Sequence, residues 1–300
     1  MATPQPGIFA LGTRSHYYME LDLRPGADPA ALAGALAALT EPRRTTGGAN
    51  LVVGLAPSLW SSLAPRDCPA GAADFVPVEG PDGYRMPSTQ HSAWIWAAAA
   101  GYDVVFDVAR ASAAALAQFA TLADQVAGFA YRDSRDITGF VDGTENPPLD
   151  EAADVAVVPD GAPGEGASVV LVQRWEHDLA AFHALSLAEQ EAVIGRTKAD
   201  SVELDDDVKP ASSHVARTVV EDEDGEELEV FRRSTSFGDV GTHGMVFVAF
   251  ASRQAVTARM LARMAGAEDG TRDALTHYSR PVTGAFYVVP EVGALRWFSL

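Results

Sequence analysis

Asp142, His214 and Arg232 are the side chains whose types and settings could do chemistry together. Asp142 stands in "DITGFVDGTENPP", residues 136–148, where Gly139, Gly143, Asn146 and two prolines crowd around a single Phe-Val pair. So many turn formers in the middle of an apolar chain mark a loop that must hold a special shape. His214 lies in "KPASSHVAR" and Arg232 in "VFRRSTSFG". Between them runs the acidic "VVEDEDGEELEV", whose Asp224-Gly225 pair is a hairpin signal, so its arms would carry His214 and Arg232 toward one neighbourhood. A hydrolytic triad needs a nucleophile, and no Gly-x-Ser-x-Gly elbow supplies one. Rossmann and P-loop glycine patterns are missing too, and none of the seven histidines forms a His-x-x-x-His pair. The aspartates at 205–207 lack the spaced glycine and distal glutamate of a calcium loop. A carboxylate, an imidazole and a guanidinium without a nucleophile suit a cofactor site.

The elements that must position these residues alternate. "HYYMELDL" reads as a strand, followed by a helix from Asp28-Pro29 through Leu32, Leu36 and Leu39. "NLVVGLA" and "YDVVFDVA" read as strands, and Leu116, Phe119, Ala123 and Val126 as one face of a second helix. The scheme then repeats: "SVVLVQRW" as strand, a helix after Ser186 with a capping box to Glu189, "GMVFVAFA" as strand, a helix over Val256, Met260 and Met264, and "GAFYVV" as closing strand. Two β-α-β-β-α-β halves imply an α+β protein with antiparallel sheets, duplicated as two ferredoxin-like units. The expected division is 1–135, a connecting segment 136–165 and 166–300.

Three hundred residues, 47% of them hydrophobic, can bury a large core. A net charge of -19 repels nucleic acid and anionic membrane, so an anionic ligand would need a local basic pocket. The longest uncharged apolar run, residues 93–102, is about half of the roughly 20 residues a membrane helix needs. No export signal opens the chain, and a cytoplasmic location is the expectation. Cys68 stands alone, which excludes an intrachain disulfide and a Cys-rich metal site.

"GFVDGTENP" resembles the Gly-x-x-Asp-Gly signature of the dye-decolourising peroxidases, haem enzymes built of two ferredoxin-like units. "PQPGIFAL", "IGRTKADSVEL" leading to "SSHV", "FRRSTSFG" and "DALTHYSRPVTGAFYVVP" also look like that family, in its order, so the resemblance spans essentially the whole chain. It implies a barrel-like pairing of the two units with haem b in the C-terminal half. It also implies reduction of hydrogen peroxide through a ferryl-oxo intermediate, with oxidation of dyes, phenols or other small organic donors. Binding of haem for storage, sensing or iron release, without turnover, is the alternative, and a haem-free module binding a metal through acidic loops is a further one.

By the same resemblance His214 matches the proximal iron ligand, Asp142 the distal aspartate and Arg232 the distal arginine, with Arg233 its rival. Gly143, Thr144, Ser234 and Arg217 are implied around the cofactor, Arg217 as a neutraliser of the haem propionates. Two departures carry expectations. Ser234 stands where relatives often have an asparagine, and its single hydroxyl donor would position peroxide less firmly. His277 stands where relatives often have an aspartate; losing that anion behind His214 would make the ligand less donating and raise the iron potential, unless Asp273 replaces it. The family resemblance also implies a homo-oligomer of the shorter, cytoplasmic branch. The ending "ALRWFSL" leaves no room for the tail that targets relatives to a protein shell.

Overall fold

The computed structural model describes residues 2–40, 48–222, 225 and 227–299. The first half runs β1 (Ser15–Leu23), α1 (Pro29–Thr40), β2 (Asn50–Leu55), α2 (Pro57–Leu63), a small ribbon β3 (Val78–Glu79) and β4 (Arg85–Met86), β5 (Ala93–Ala99), α3 (Tyr102–Leu116) and β6 (Ala120–Phe129). The second runs α4 (Ala152–Ala156), β7 (Ser168–His177), α5 (Leu179–Ala184), α6 (Leu187–Ile194), α7 (His214–Thr218), β8 (Phe231–Arg232), β9 (Thr235–Gly238), β10 (His243–Ala251), α8 (Gln254–Ala265), β11 (Ser279–Pro281), β12 (Ala285–Val289) and α9 (Val292–Arg296).

Strand order β2-β5-β1-β6 in the first half and β12-β7-β10 with β8 and β9 in the second is the ferredoxin-like arrangement twice over, all antiparallel. β12 meets β2 at Val288 and Leu55, and β6 meets β9 at Gly128 and Phe129, so the two sheets close into one barrel. Closure removes the exposed edges that four-stranded sheets would leave.

β5 explains how the barrel fills. Its sequence AWIWAAA is buried at every position because both faces are covered. Trp94, Trp96 and Ala98 point into the barrel with Tyr18, Phe250 and Tyr287, whereas Ala93 and Ile95 face a helical layer that includes Leu32, Leu36 and Leu116. Inside, Tyr287, Trp94, Trp96 and Tyr18 stack in series with centroids 6.1, 6.3 and 6.1 Å apart.

Two readings of the first half are corrected. "YDVVFDVA" is not a strand but the start of α3, and the segment after Leu116 is not a helix but β6. Val105, Ala109, Ser112 and Leu116 are the buried positions, a helical spacing that outweighs the strand preference of the valines. The capping box at Ser186 and Glu189 forms as expected, Ser186 Oγ accepting from the Glu189 amide. Asp224 lies outside the described residues, but the arms around it do pair: Glu221 bridges Glu227 and the Leu228 amide donates to Val220 O at 2.7 Å.

Candidate active site

His214 opens α7, with Ser213 as N-cap. Its Nδ1 lies 2.7 Å from Oδ2 of Asp273, a residue with no exposed surface whose other oxygen accepts from the Leu275 amide at 2.8 Å. An ionised carboxylate can only accept, so Nδ1 donates to Asp273 and Nε2 is the ring nitrogen left for another partner. His214 thus lines the main pocket with the Asp273 carboxylate behind it. His277 is exposed, and the carboxylate behind His214 is that of Asp273. The anion absent at position 277 is supplied four residues earlier, by Asp273.

Asp142 is carried by a tight reverse turn. The Asp136 amide donates to Phe140 O at 2.9 Å, Arg135 bridges Val141, and the Asp142 amide donates to Ser134 O at 2.9 Å. Gly139 (φ 93°) is in the left-handed region where a side chain strains the backbone, and a Cβ there would also meet Lys198 Cε at 2.8 Å. Asp142 keeps some accessible surface on the pocket wall, yet the crowding around it raises its pKa through burial. Arg232 opposes that shift, the charge of Asp136 adds to it, and the Gly143 amide and His214 oppose it more weakly.

Arg232 enters from β8, beside Ala249 of β10. Asn146 grips its main chain at both ends: the Arg232 amide donates to Asn146 Oδ1 and Asn146 Nδ2 donates to Arg232 O, each at 2.8 Å. One loop therefore presents the carboxylate and docks the strand bearing the guanidinium. In sequence Asn146 is one turn former among several; its partner lies 86 residues on, a separation that no local pattern reports. Arg233 faces the other way by strand alternation, donating to Ile8 O and Ala10 O and lying over Trp96 at 4.9 Å.

His214, Asp142 and Arg232 line both the main pocket and an adjoining one of about 840 Å³, which also takes in Gly143 and Thr144. Two of the expected residues have partners elsewhere in the fold. The Arg217 guanidinium is buried and forked onto Asp269 at 2.8 and 2.9 Å, with further bonds to Arg263 O, and it lines neither pocket. The Ser234 hydroxyl accepts from the Val248 amide at 3.4 Å, which ties it to the sheet and lines neither pocket. Asp136 and His177 also line the main pocket, 3.2 Å apart; one histidine among seven gave no signal of this in sequence.

The residues fit a large, flat, apolar cofactor with a metal at its centre. The main pocket is walled by Leu171, Phe247, Met260, Leu261 and Met264, an apolar lining into which His214 and His177 bring imidazoles. The buried Nε of Arg232 has no partner among the described residues, a donor awaiting an acceptor. Among the described residues no cluster of three metal-ligating side chains occurs.

Comparisons with known proteins identify the family of the chain. The family described as Dyp-type peroxidase matches twice, its N-terminal part over residues 5–130 and its C-terminal part over 133–294. A dye-decolorizing peroxidase of Rhodococcus erythropolis is 39% identical over 261 residues, 84% of this chain and 75% of the relative. Another, of Mycolicibacterium paratuberculosis, is 38% identical over 250 residues, 82% and 70% of the two chains. DyPB from Rhodococcus jostii RHA1 superposes with a TM-score of 0.91 at 37% identity, covering 98% of this chain and 97% of its own. A putative dyp-type peroxidase of Shewanella oneidensis reaches 0.92 at 28% identity, covering 99% of both. A variant of the R. jostii protein has been solved in complex with heme. With both parts of the family matched and the barrel shared from end to end, this chain belongs to the Dyp-type peroxidases.

Proposed function

We propose that this protein is a haem b-dependent peroxidase that reduces hydrogen peroxide and oxidises dyes, phenols or other small organic donors. The observation that carries this reading is His214, backed by buried Asp273, on the same pocket as Asp142 and Arg232. His214 Nε2 would hold the iron, and the apolar wall of Met260, Leu261, Met264 and Phe247 would cover the macrocycle. The haem, when bound, supplies an iron with an open coordination position and a store of oxidising equivalents.

The chain's own residues handle the proton and the charge. Splitting peroxide requires a proton to leave one oxygen and reach the other. The Asp142 carboxylate takes the proton from the first oxygen and returns it to the second, a service worth about 10²–10⁴ in rate. Negative charge grows on the departing oxygen, and the Arg232 guanidinium, held in place by Asn146, donates to it from a water-poor wall. A carboxylate stays ionised in acid where an imidazole would be protonated, so turnover favours acidic pH. Burial and Asp136 move the acid limb above the ordinary carboxylate range, since Asp142 acts only once ionised.

The test is the ultraviolet-visible spectrum of the purified protein before and after one equivalent of hydrogen peroxide. A Soret band that changes within the mixing experiment is expected. No Soret band after haem addition would refute the cofactor, and a band indifferent to peroxide would favour haem storage. Among the described residues no helix is long and apolar enough to cross a membrane. We place the protein in the cytoplasm as a homo-oligomer: its single, buried cysteine suits a reducing compartment. Fractionation of cells and light scattering of the purified protein test the two statements.

A further inference from the structure

Asp136, His177 and Ser279 form a buried hydrogen-bonded chain on the wall of the main pocket that the peroxide chemistry above does not use. Ser279 Oγ lies 2.8 Å from His177 Nδ1, and His177 Nε2 lies 3.2 Å from Asp136 Oδ1. Ser279 and His177 are direct register partners on β11 and β7, so two of the three members belong to the barrel wall. The third belongs to the loop. We propose that His177 and Ser279 are positioning residues for Asp142, acting through Asp136, and that they pin to the barrel the turn that presents the reactive carboxylate.

Several of the turn's internal and outward connections pass through the side chain and main chain of Asp136. Its Oδ2 accepts from the Thr138 amide at 2.9 Å, its carbonyl accepts from the Gly139 amide at 2.8 Å, and its amide donates to Phe140 O. Oδ1 alone reaches out of the turn, to His177. The approach to the turn is strained: Asp133 and Ser134, neither a glycine, have φ of 49° and 59°. Such conformations persist where the surroundings over-determine them, and Ser134 O is the acceptor for the Asp142 amide. On the opposite flank Arg135 clamps the turn through Gly139 O at 2.8 Å and Lys198 O at 2.9 Å. The His177 contact fixes the pocket side.

The chemistry of the contact supports a positioning role. A buried carboxylate is costly unless it is hydrogen-bonded. Burial alone would raise the pKa of Asp136, but the bonds from His177 and Thr138 outweigh it and hold the group below its ordinary value. The anion is thereby kept as a firm acceptor for His177, near the Arg232 charge that faces Asp142 from β8.

This inference rests on the peroxidase reading, and the two fail differently. Haem-loaded His177→Leu, His177→Gln and Ser279→Ala proteins would be mixed with hydrogen peroxide and the Soret change timed. Amide exchange at Asp136, Thr138, Gly139 and Asp142 would be followed in the same proteins with and without haem. His177→Leu should keep its haem content, react about 10–100-fold more slowly and exchange faster at those four amides. His177→Gln, whose amide N–H can reach Asp136, should recover most of the rate and the protection. His177→Leu reacting at the wild-type rate, or slowly with the four amides still protected, overturns the proposal. Should His177→Leu not fold, Ser279→Ala decides: unchanged rate and exchange there also overturn it. Wild-type protein that ignores peroxide overturns the peroxidase reading instead.

Discussion

Glu20 of β1 is buried inside the barrel, where its Oε1 accepts from the Tyr287 hydroxyl at 2.6 Å and so ties the first half to the second. Burial raises its pKa from 4.5 to about 7, with the Tyr287 bond opposing the shift. The folded state therefore binds a proton that the unfolded chain has released between about pH 4.5 and 7. The stabilisation is complete below the lower value and is lost as pH rises through the upper one. A shift of that size is worth about 3 kcal/mol at 1.36 kcal/mol per unit. Glu20→Gln keeps an oxygen acceptor for Tyr287 and cannot ionise. The difference in unfolding free energy between variant and wild type should swing by about 3 kcal/mol in favour of the variant from pH 4.5 to pH 8. With an unfolding entropy of about 2.1 cal/mol/K per residue, that equals a relative Tm change of about 5 °C. Urea unfolding of both proteins at the two pH values measures it. A difference that stays constant with pH, or that swings toward wild type at pH 8, refutes the reasoning.

At the site, Asp142→Asn removes the proton carrier while preserving shape and should slow the peroxide step by about 10²–10⁴, read by stopped-flow absorbance. Arg232→Leu removes the cation that favours the Asp142 anion, so the acid limb of the peroxide reaction should move to higher pH; a limb that moves to lower pH contradicts the electrostatics. Asn146→Ala leaves the Arg232 amide and carbonyl without their side-chain partner and should cost about 1–3 kcal/mol of stability, with a slower peroxide step. Asp273→Asn keeps a hydrogen-bond acceptor for His214 but removes the charge, so the ferric/ferrous potential should rise; spectroelectrochemistry checks the sign.

What the sequence disclosed and what it withheld divide along physical lines. Elements packed on one face, such as α8 with Val256, Met260 and Met264, carry a periodicity that pattern reading recovers. β5 and α3 do not behave so simply. A strand buried on both faces loses its alternation, so AWIWAAA reads as a bare apolar run, while the valines of "YDVVFDVA" advertise a strand although the surrounding layer makes a helix of them. Barrel closure rests on a few pairings, among them Val288 with Leu55, between segments more than 200 residues apart, and those have no local signature.

The same division holds at the site. Residue types and turn chemistry single out Asp142, because glycines and prolines are needed wherever a loop must turn tightly, and that requirement is written locally. Partnership is not. Asp273 behind His214, Asn146 on Arg232 and His177 on Asp136 are contacts across 59, 86 and 41 residues. The consequence for the motif is a redistribution of roles along "DITGFVDGTENPP". Asp136 fastens the turn to the barrel, the glycines let it fold back, Asp142 faces the pocket and Asn146 holds the strand that brings Arg232. A loop with four such duties fixes the separation of carboxylate and guanidinium from one short piece of chain. On this account Asn146→Ala and His177→Leu, neither touching the other, should both loosen the same pair, and their effects on the peroxide step should fall short of additive in the double variant.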